Sequence, residues 1–122
     1  MKFINTKQGF PFSDAVITSG RLLEAVIVGI PPGKEFPIEG GVEAELKEIF
    51  RQFEAILAQV GAKKENVASV RLYLQEVNRD ISAVNAVYKE YFGSHPPNRR
   101  AYGVDLQRGM LIEAAFVVEL PE

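Results

Sequence analysis

The stretch from Met110 to Leu120 limits the possible folds more than any other part of the chain. Apart from Glu113 and Glu119 it is apolar throughout, running Met-Leu-Ile-Glu-Ala-Ala-Phe-Val-Val-Glu-Leu. A strand with one face in water alternates apolar and polar residues, whereas an apolar run of this length predicts a central strand buried on both faces. Period-two alternation puts Glu113 on one face with Leu111, Ala115 and Val117, while Glu119 lies at the fraying end beside Pro121. A carboxylate in the middle of such a strand loses hydration and destabilises the fold unless it is paired or takes up a proton. The segment before it, Pro96 to Val104, reads as a strand joined to the first by a turn at Gln107-Arg108-Gly109. That strand begins with Arg99 and Arg100, whose side chains point to opposite faces. Two readings of Glu113 stay open. Either one arginine partners it or holds a ligand beside it, or Glu113 is a structural residue at a sheet edge or bonded to backbone amides.

The remaining elements follow from periodicity. A short edge strand is expected over Met1 to Asn5. Two strands, Asp14 to Thr18 and Leu22 to Ile30, are joined by a hairpin turn at Ser19-Gly20-Arg21. After a proline-braced loop and Gly40-Gly41, apolar residues at Val42, Leu46, Ile49, Phe50, Phe53, Ile56, Leu57 and Val60 form the buried stripe of a helix that Gly61 ends. Glu43, Glu45, Lys47, Glu48, Arg51 and Glu54 read as its solvated face, the acids favoured by the helix dipole. Val67 to Val77 is the next strand, with Ala68, Val70, Leu72 and Leu74 on one side. Asp80 opens a second helix with the stripe Ile81, Val84, Val87, Tyr88, Tyr91 and Phe92, stopped by Gly93. Asn85 lies beside that stripe, where an amide is mildly unfavourable unless it bonds to something specific. The order strand, strand, strand, helix, strand, helix, strand, strand predicts one two-layer α+β domain over residues 1–122, a mixed six-stranded sheet with both helices on one face. The other face is too apolar for water, and burial against identical subunits is its expected cover.

Composition narrows the function. The chain carries 14 Lys and Arg against 16 Asp and Glu, scattered without a basic stripe, so nucleic acid is not an expected partner. It has no apolar span of membrane length and no leader pattern, so no membrane partner is expected and a cytoplasmic location is. Cysteine is absent, which removes disulfides and thiolate chemistry. The single histidine, His95, stands before Pro96-Pro97 and reads as exposed, so neither a metal site nor a cofactor is expected.

Four segments, in order, resemble the Rid family, the reactive intermediate deaminases also called YjgF or L-PSP proteins. Pro11-Phe12-Ser13-Asp14-Ala15-Val16 is similar to the family's early Pro-Tyr-Ser-x-Ala-Val. The helix from Gly41 to Gly61 is similar to its first helix, and Val84-Asn85-Ala86-Val87-Tyr88 with Tyr91-Phe92 to its second. Pro97-Asn98-Arg99, Gly103-Val104 and Gly109 to Glu113 resemble its C-terminal signature. The resemblance implies a homotrimer of chorismate-mutase-like fold with ligand clefts between subunits. It also implies a cofactor-free hydrolysis of 2-imino acids to 2-keto acids and ammonia. By motif match Arg99 grips the substrate carboxylate, Glu113 with the backbone carbonyl of Ala101 holds the attacking water, and Asn85 lies at the cleft. A guanidinium suits that grip because it is planar and bidentate.

The chain departs from the family in two hydroxyls. Val28-Gly29 stands where relatives often have Ser-Gly, and Phe12 where they have tyrosine. The usual loop after the third strand is also shorter. These changes imply a drier cleft, fitted to a substrate with a more apolar side chain, to slower turnover, or to binding without turnover. Three functions therefore compete: imine deaminase, non-catalytic trimeric binder of 2-keto acids, and the ribonuclease activity attributed to some relatives, which the acidic charge and lone histidine disfavour.

Overall fold

A computed structural model describes residues 1–6 and 8–121. Strands β1 (Lys2–Thr6), β2 (Ser13–Thr18), β3 (Leu22–Val28), β4 (Val67–Leu74), β5 (Asn98–Gly103) and β6 (Ile112–Glu119) join helices α1 (Gly41–Val60) and α2 (Val77–Phe92) in the expected α+β order. The strands form one mixed sheet ordered β1-β2-β3-β6-β4-β5, in which only β4 and β5 run parallel.

The apolar run is the centre of that sheet, as its composition demands. Ile112, Ala114, Phe116 and Val118 of β6 are at most 1% exposed beneath the helices. There Phe116 stacks on Phe53 of α1 with ring centroids 3.9 Å apart. Leu46, Ile49 and Leu57 of α1 and Val84 and Phe92 of α2 complete the core. The turn at Ser19-Gly20 has φ of 52° and 70°, and Arg21 N–H donates to Thr18 O at 3.1 Å. Positive φ at both central residues matches the right-handed twist of a hairpin. Gly61 ends α1 in the left-handed region at φ 73°, where a side chain would be strained.

Four sequence expectations need correction. The turn before β6 exists, with Arg108 and Gly109 at positive φ, yet β5 and β6 are not neighbours. β4 lies between them because Val70, Leu72 and Leu74 are fully buried while β5 is polar and half exposed, fit only for an edge. α2 supplies the crossover that a parallel β4–β5 pair requires. Second, Ala68 is exposed because the β4–β6 register shifts between Val67 and Ser69, so a bulge resets the alternation. Third, β4 ends at Leu74 and α2 begins at Val77, with Asp80 buried in its first turns and paired to Arg79 at 2.8 Å. Fourth, Glu45 and Glu48 are not solvated, being only 2% and 6% exposed.

Candidate functional site

The residues singled out from the sequence fall into two groups on opposite sides of the sheet. Arg99, Ala101 and Asn85 form the first, where edge strand β5 meets α2. Arg99 turns toward the helices: its Nη1 donates to Asn85 Oδ1 at 2.6 Å, and its guanidinium lies 5.0 Å from the centre of the Tyr88 ring. Tyr88 is buried, its hydroxyl has no partner among the described residues, and burial pushes its pKa up to about 12 against the opposing pull of Arg99. Asn85 itself is exposed. Val104 N–H donates to Leu74 O at 3.0 Å. Because backbone groups alternate sides along a strand, the C=O of Ala101, three residues earlier, points to the open edge of the sheet. Its side chain packs on the core.

Glu113 and Val28 form the second group, while Gly29, next along the chain, turns to the helix side and Phe12 stands just before β2. Glu113 lies on the face away from the helices, registered against Val28 of β3 and Tyr73 of β4. It is half-buried, and among the described residues nothing hydrogen-bonds or ion-pairs with its carboxylate. Burial raises its pKa above the usual carboxylate value. Arg100 shares this face but rests on Tyr102, 5.8 Å from the ring centre, and Tyr102 stacks on Tyr73 at 5.8 Å. Neither arginine partners Glu113. The structural alternative fails as well, since β6 is a central strand and no described backbone amide bonds to the side chain.

Gly29 is buried against α1, where an added Cβ would come within 2.7 Å of Glu45 Cβ and 2.9 Å of Glu45 Cα. Only glycine fits there. The loop that follows is pinned by Gln52, whose Nε2 donates to Ile30 O at 2.9 Å and to Glu48 Oε2 at 2.8 Å. Phe12 is 53% exposed and meets Phe10 edge-on, with ring centroids 5.7 Å apart. His95 is exposed and bonded to Ser94.

The two groups do not meet within one chain. β6 and β5 are two strand positions apart, about 10 Å across the sheet, and Arg99 and Glu113 use opposite faces. Concavities of about 350 Å³ beside β1 and about 290 Å³ beside Glu65 and Glu119 lie away from both groups.

Sequence reasoning missed Glu45, Gln52, Tyr73 and Tyr102. Glu45 and Gln52 fall at helical spacing with Ile49 and Ile56, both at most 6% exposed, which was the signal that they face inward. Tyr73 and Tyr102 were legible only as strand residues, because the parallel pairing that stacks them depends on the β4–β5 topology.

The family described as Endoribonuclease L-PSP matches residues 6–120. A human protein named 2-iminobutanoate/2-iminopropanoate deaminase is 34% identical over 88% of this chain and 78% of its own. The goat protein of the same name is 36% identical over 91% and 82%. Among solved structures, a protein from Thermotoga maritima described as a putative endoribonuclease superposes with a TM-score of 0.87 at 26% identity, covering 100% of this chain and 99% of its own. A Yersinia pestis protein of the conserved Rid family gives 0.84 at 25%, over 98% and 95%. With the family match spanning both helices and all but the first residues of the sheet, the chain belongs to the Rid family.

Proposed function

We propose that the protein hydrolyses 2-imino acids to 2-keto acids and ammonia, at clefts formed where copies of the chain meet in a homotrimer. The observation that carries this reading is Glu113, a half-buried carboxylate with a raised pKa and no partner among the described residues. A carboxylate held this way is a stronger base near neutral pH than a solvated one. Arg99 and the Ala101 carbonyl stand at the sheet edge, so Arg99, Ala101 and Asn85 of one copy would face Glu113, Val28, Gly29 and Phe12 of its neighbour. The open face also exposes Phe3 (61%) and Val26 (60%), apolar surface that such a neighbour would cover.

In that cleft Arg99 binds the substrate carboxylate through paired N–H donors. Glu113 and the Ala101 carbonyl orient water toward the imine carbon. The water oxygen bonds to that carbon as Glu113 accepts its proton, and the proton then passes to nitrogen. As the C–N bond breaks, Glu113 takes the remaining proton of the new hydroxyl and passes it to the departing nitrogen, so that ammonia leaves and the carbon keeps its oxygen as the ketone. Val28 and Phe12 offer no hydroxyl, so the walls suit an imino acid with an apolar side chain.

A second reading, a binder of 2-keto acids without turnover, is favoured by those same missing hydroxyls. It is opposed by Glu113, since a second negative charge weakens carboxylate capture. Ribonuclease activity fits a net charge of −2 and a lone exposed His95 poorly. Ammonia release from imines generated in situ from several amino acids, with Arg99→Ala as control, decides among these. Release by the wild type alone supports deamination, and no release with intact keto-acid binding leaves the binder. Light scattering that gives a mass near 13.5 kDa at micromolar concentration would sink the shared cleft.

A further inference from the structure

Glu45 is a buried acid that the proposed chemistry does not use. It is 2% exposed and lies between Gly29, just after β3, and Leu111, just before β6. Its Oε1 accepts Leu111 N–H at 2.9 Å, and the neighbouring Ile112 N–H helps to favour the charged carboxylate. Those are the two residues immediately before Glu113. On its other side the Glu45 backbone lies flush against Gly29, beside Val28, which pairs with Glu113. Further along α1, Gln52 Nε2 donates to the carbonyl of Ile30 and to the Glu48 carboxylate. Burial raises the pKa of Glu45, the two N–H groups work against that, and Asp80 of α2, itself paired with Arg79, adds like charge. A carboxyl group buried this deeply needs partners, and its bond to the Leu111 amide fixes where β6 begins.

We propose that Glu45 is the positioning residue for Glu113, anchoring the start of β6 and the Gly29 loop to α1 so that the Glu113 carboxylate is held half out of water. The inference rests on the reading of Glu113 as the water-holding base, but its structural half can be tested without any turnover. Without the anchor, the chain before Ile112 frays and Glu113 gains hydration. Catalysis would then suffer in the chemical step more than in substrate capture, because Arg99 belongs to the other group of residues.

The test compares the full-length wild type with Glu45→Ala and Glu45→Gln. Amide hydrogen exchange at Leu111 and Ile112 should speed up roughly 10- to 100-fold in Glu45→Ala, the loss expected for bonds to a charged acceptor. By carbon NMR, Glu113 should titrate at a lower pH in Glu45→Ala, closer to an ordinary carboxylate. The ammonia-release kcat should drop about tenfold or more with KM within twofold. Glu45→Gln keeps one acceptor oxygen, so it should recover part of each effect, and it supplies the same readouts if the alanine variant does not fold. Unchanged exchange at Leu111 and Ile112, or an unchanged Glu113 titration, overturns the proposal whatever the rate does. If exchange and titration move together but the wild type releases no ammonia, the anchor stands and the deaminase reading falls.

Discussion

The two faces of the single sheet are made by the same strands and have opposite characters. Beneath the helices, Leu23, Val70, Leu72, Leu74, Ile112 and Ala114 are all fully buried, and aromatic stacks fill the remaining space. On the other face, residues one position away are half exposed: Glu113, Ala115 and Val117 of β6, and Arg71 and Tyr73 of β4. The covered face is continuous, apolar and closed by the chain itself. The open face mixes apolar side chains with Glu113, which has no partner among the described residues. The contrast separates the part of the sequence that makes the fold from the part available for assembly and chemistry.

The largest expected effect breaks the open face without touching the covered one. Glu113→Gln keeps the side chain's shape and one acceptor but removes the basic oxygen, so imine hydrolysis should fall by about 10²–10⁴. The thermal midpoint should stay the same or rise, because a raised pKa means the charged form is disfavoured in the fold. Steady-state ammonia release and calorimetry on one preparation check both halves. A midpoint that drops while the rate holds would return Glu113 to a structural role.

Phe116→Ala is the mirror experiment. It removes the ring stacked on Phe53, in a site only 1% exposed, and should cost about 3–5 kcal/mol of stability as a cavity opens under α1. Urea unfolding measures this. Where the variant stays folded, any loss of keto-acid affinity should be small beside the loss of stability, since Phe116 reaches Arg99 only indirectly, across Val70 and through Phe50 and Tyr88.

The adjacent arginines sharpen the comparison further. Arg99 points to the helix side and bonds to Asn85, while Arg100 points to the open face and rests on Tyr102. Arg99→Ala should weaken 2-keto acid binding by about 2–4 kcal/mol, the loss of a bidentate charged contact. Arg100→Ala should change it little. Titration calorimetry showing equal losses would mean that the ligand approaches the open face and not the edge of β5.

Much of this was legible in the sequence because it depends on periodicity. The apolar run gave the central strand, alternation put Arg99 and Arg100 on opposite faces, and Gly61 and Gly93 ended the helices. What periodicity cannot convey is which strands are neighbours. The 107–110 turn looks like the tip of a hairpin, and nothing local says that β4 slips between β5 and β6. The separation of Arg99 from Glu113 follows from that pairing, so the division of the site into two groups was invisible beforehand. Glu45 and Glu48 were misread for another reason. Charge type outweighed spacing in assigning them to solvent, although both lie next to the apolar stripe. Their burial is satisfied by different means: the Leu111 amide at the start of β6 for Glu45, and the neighbouring Arg51 and Gln52 of the same helix for Glu48.

Those two acids set up the smallest effect, which concerns pH. Glu45 and Glu48 lie one turn apart on α1, and their pKa values shift in opposite directions from the ordinary 4.5. Burial raises that of Glu45. Hydrogen bonds from Arg51, foremost, and Gln52 lower that of Glu48 despite its burial. A raised folded-state value means the folded chain holds the proton more tightly than the unfolded chain. The stabilising contribution of Glu45 is therefore complete below pH 4.5 and is lost as pH rises through its folded value. Glu48 has the opposite sign: its contribution is present above pH 4.5 and disappears as pH falls through its lowered value. Glu45→Gln should flatten the decline of stability on the side above that value, and Arg51→Met should flatten the loss below it. Each change in slope is bounded by about 1.4 kcal/mol per pH unit, the linkage of a single proton. Urea midpoints across the acid-to-neutral range for the wild type and both variants measure the two limbs separately. If Glu45→Gln altered only the acid limb, Glu45 would be a charge stabilised by its two amide partners, with desolvation the lesser influence.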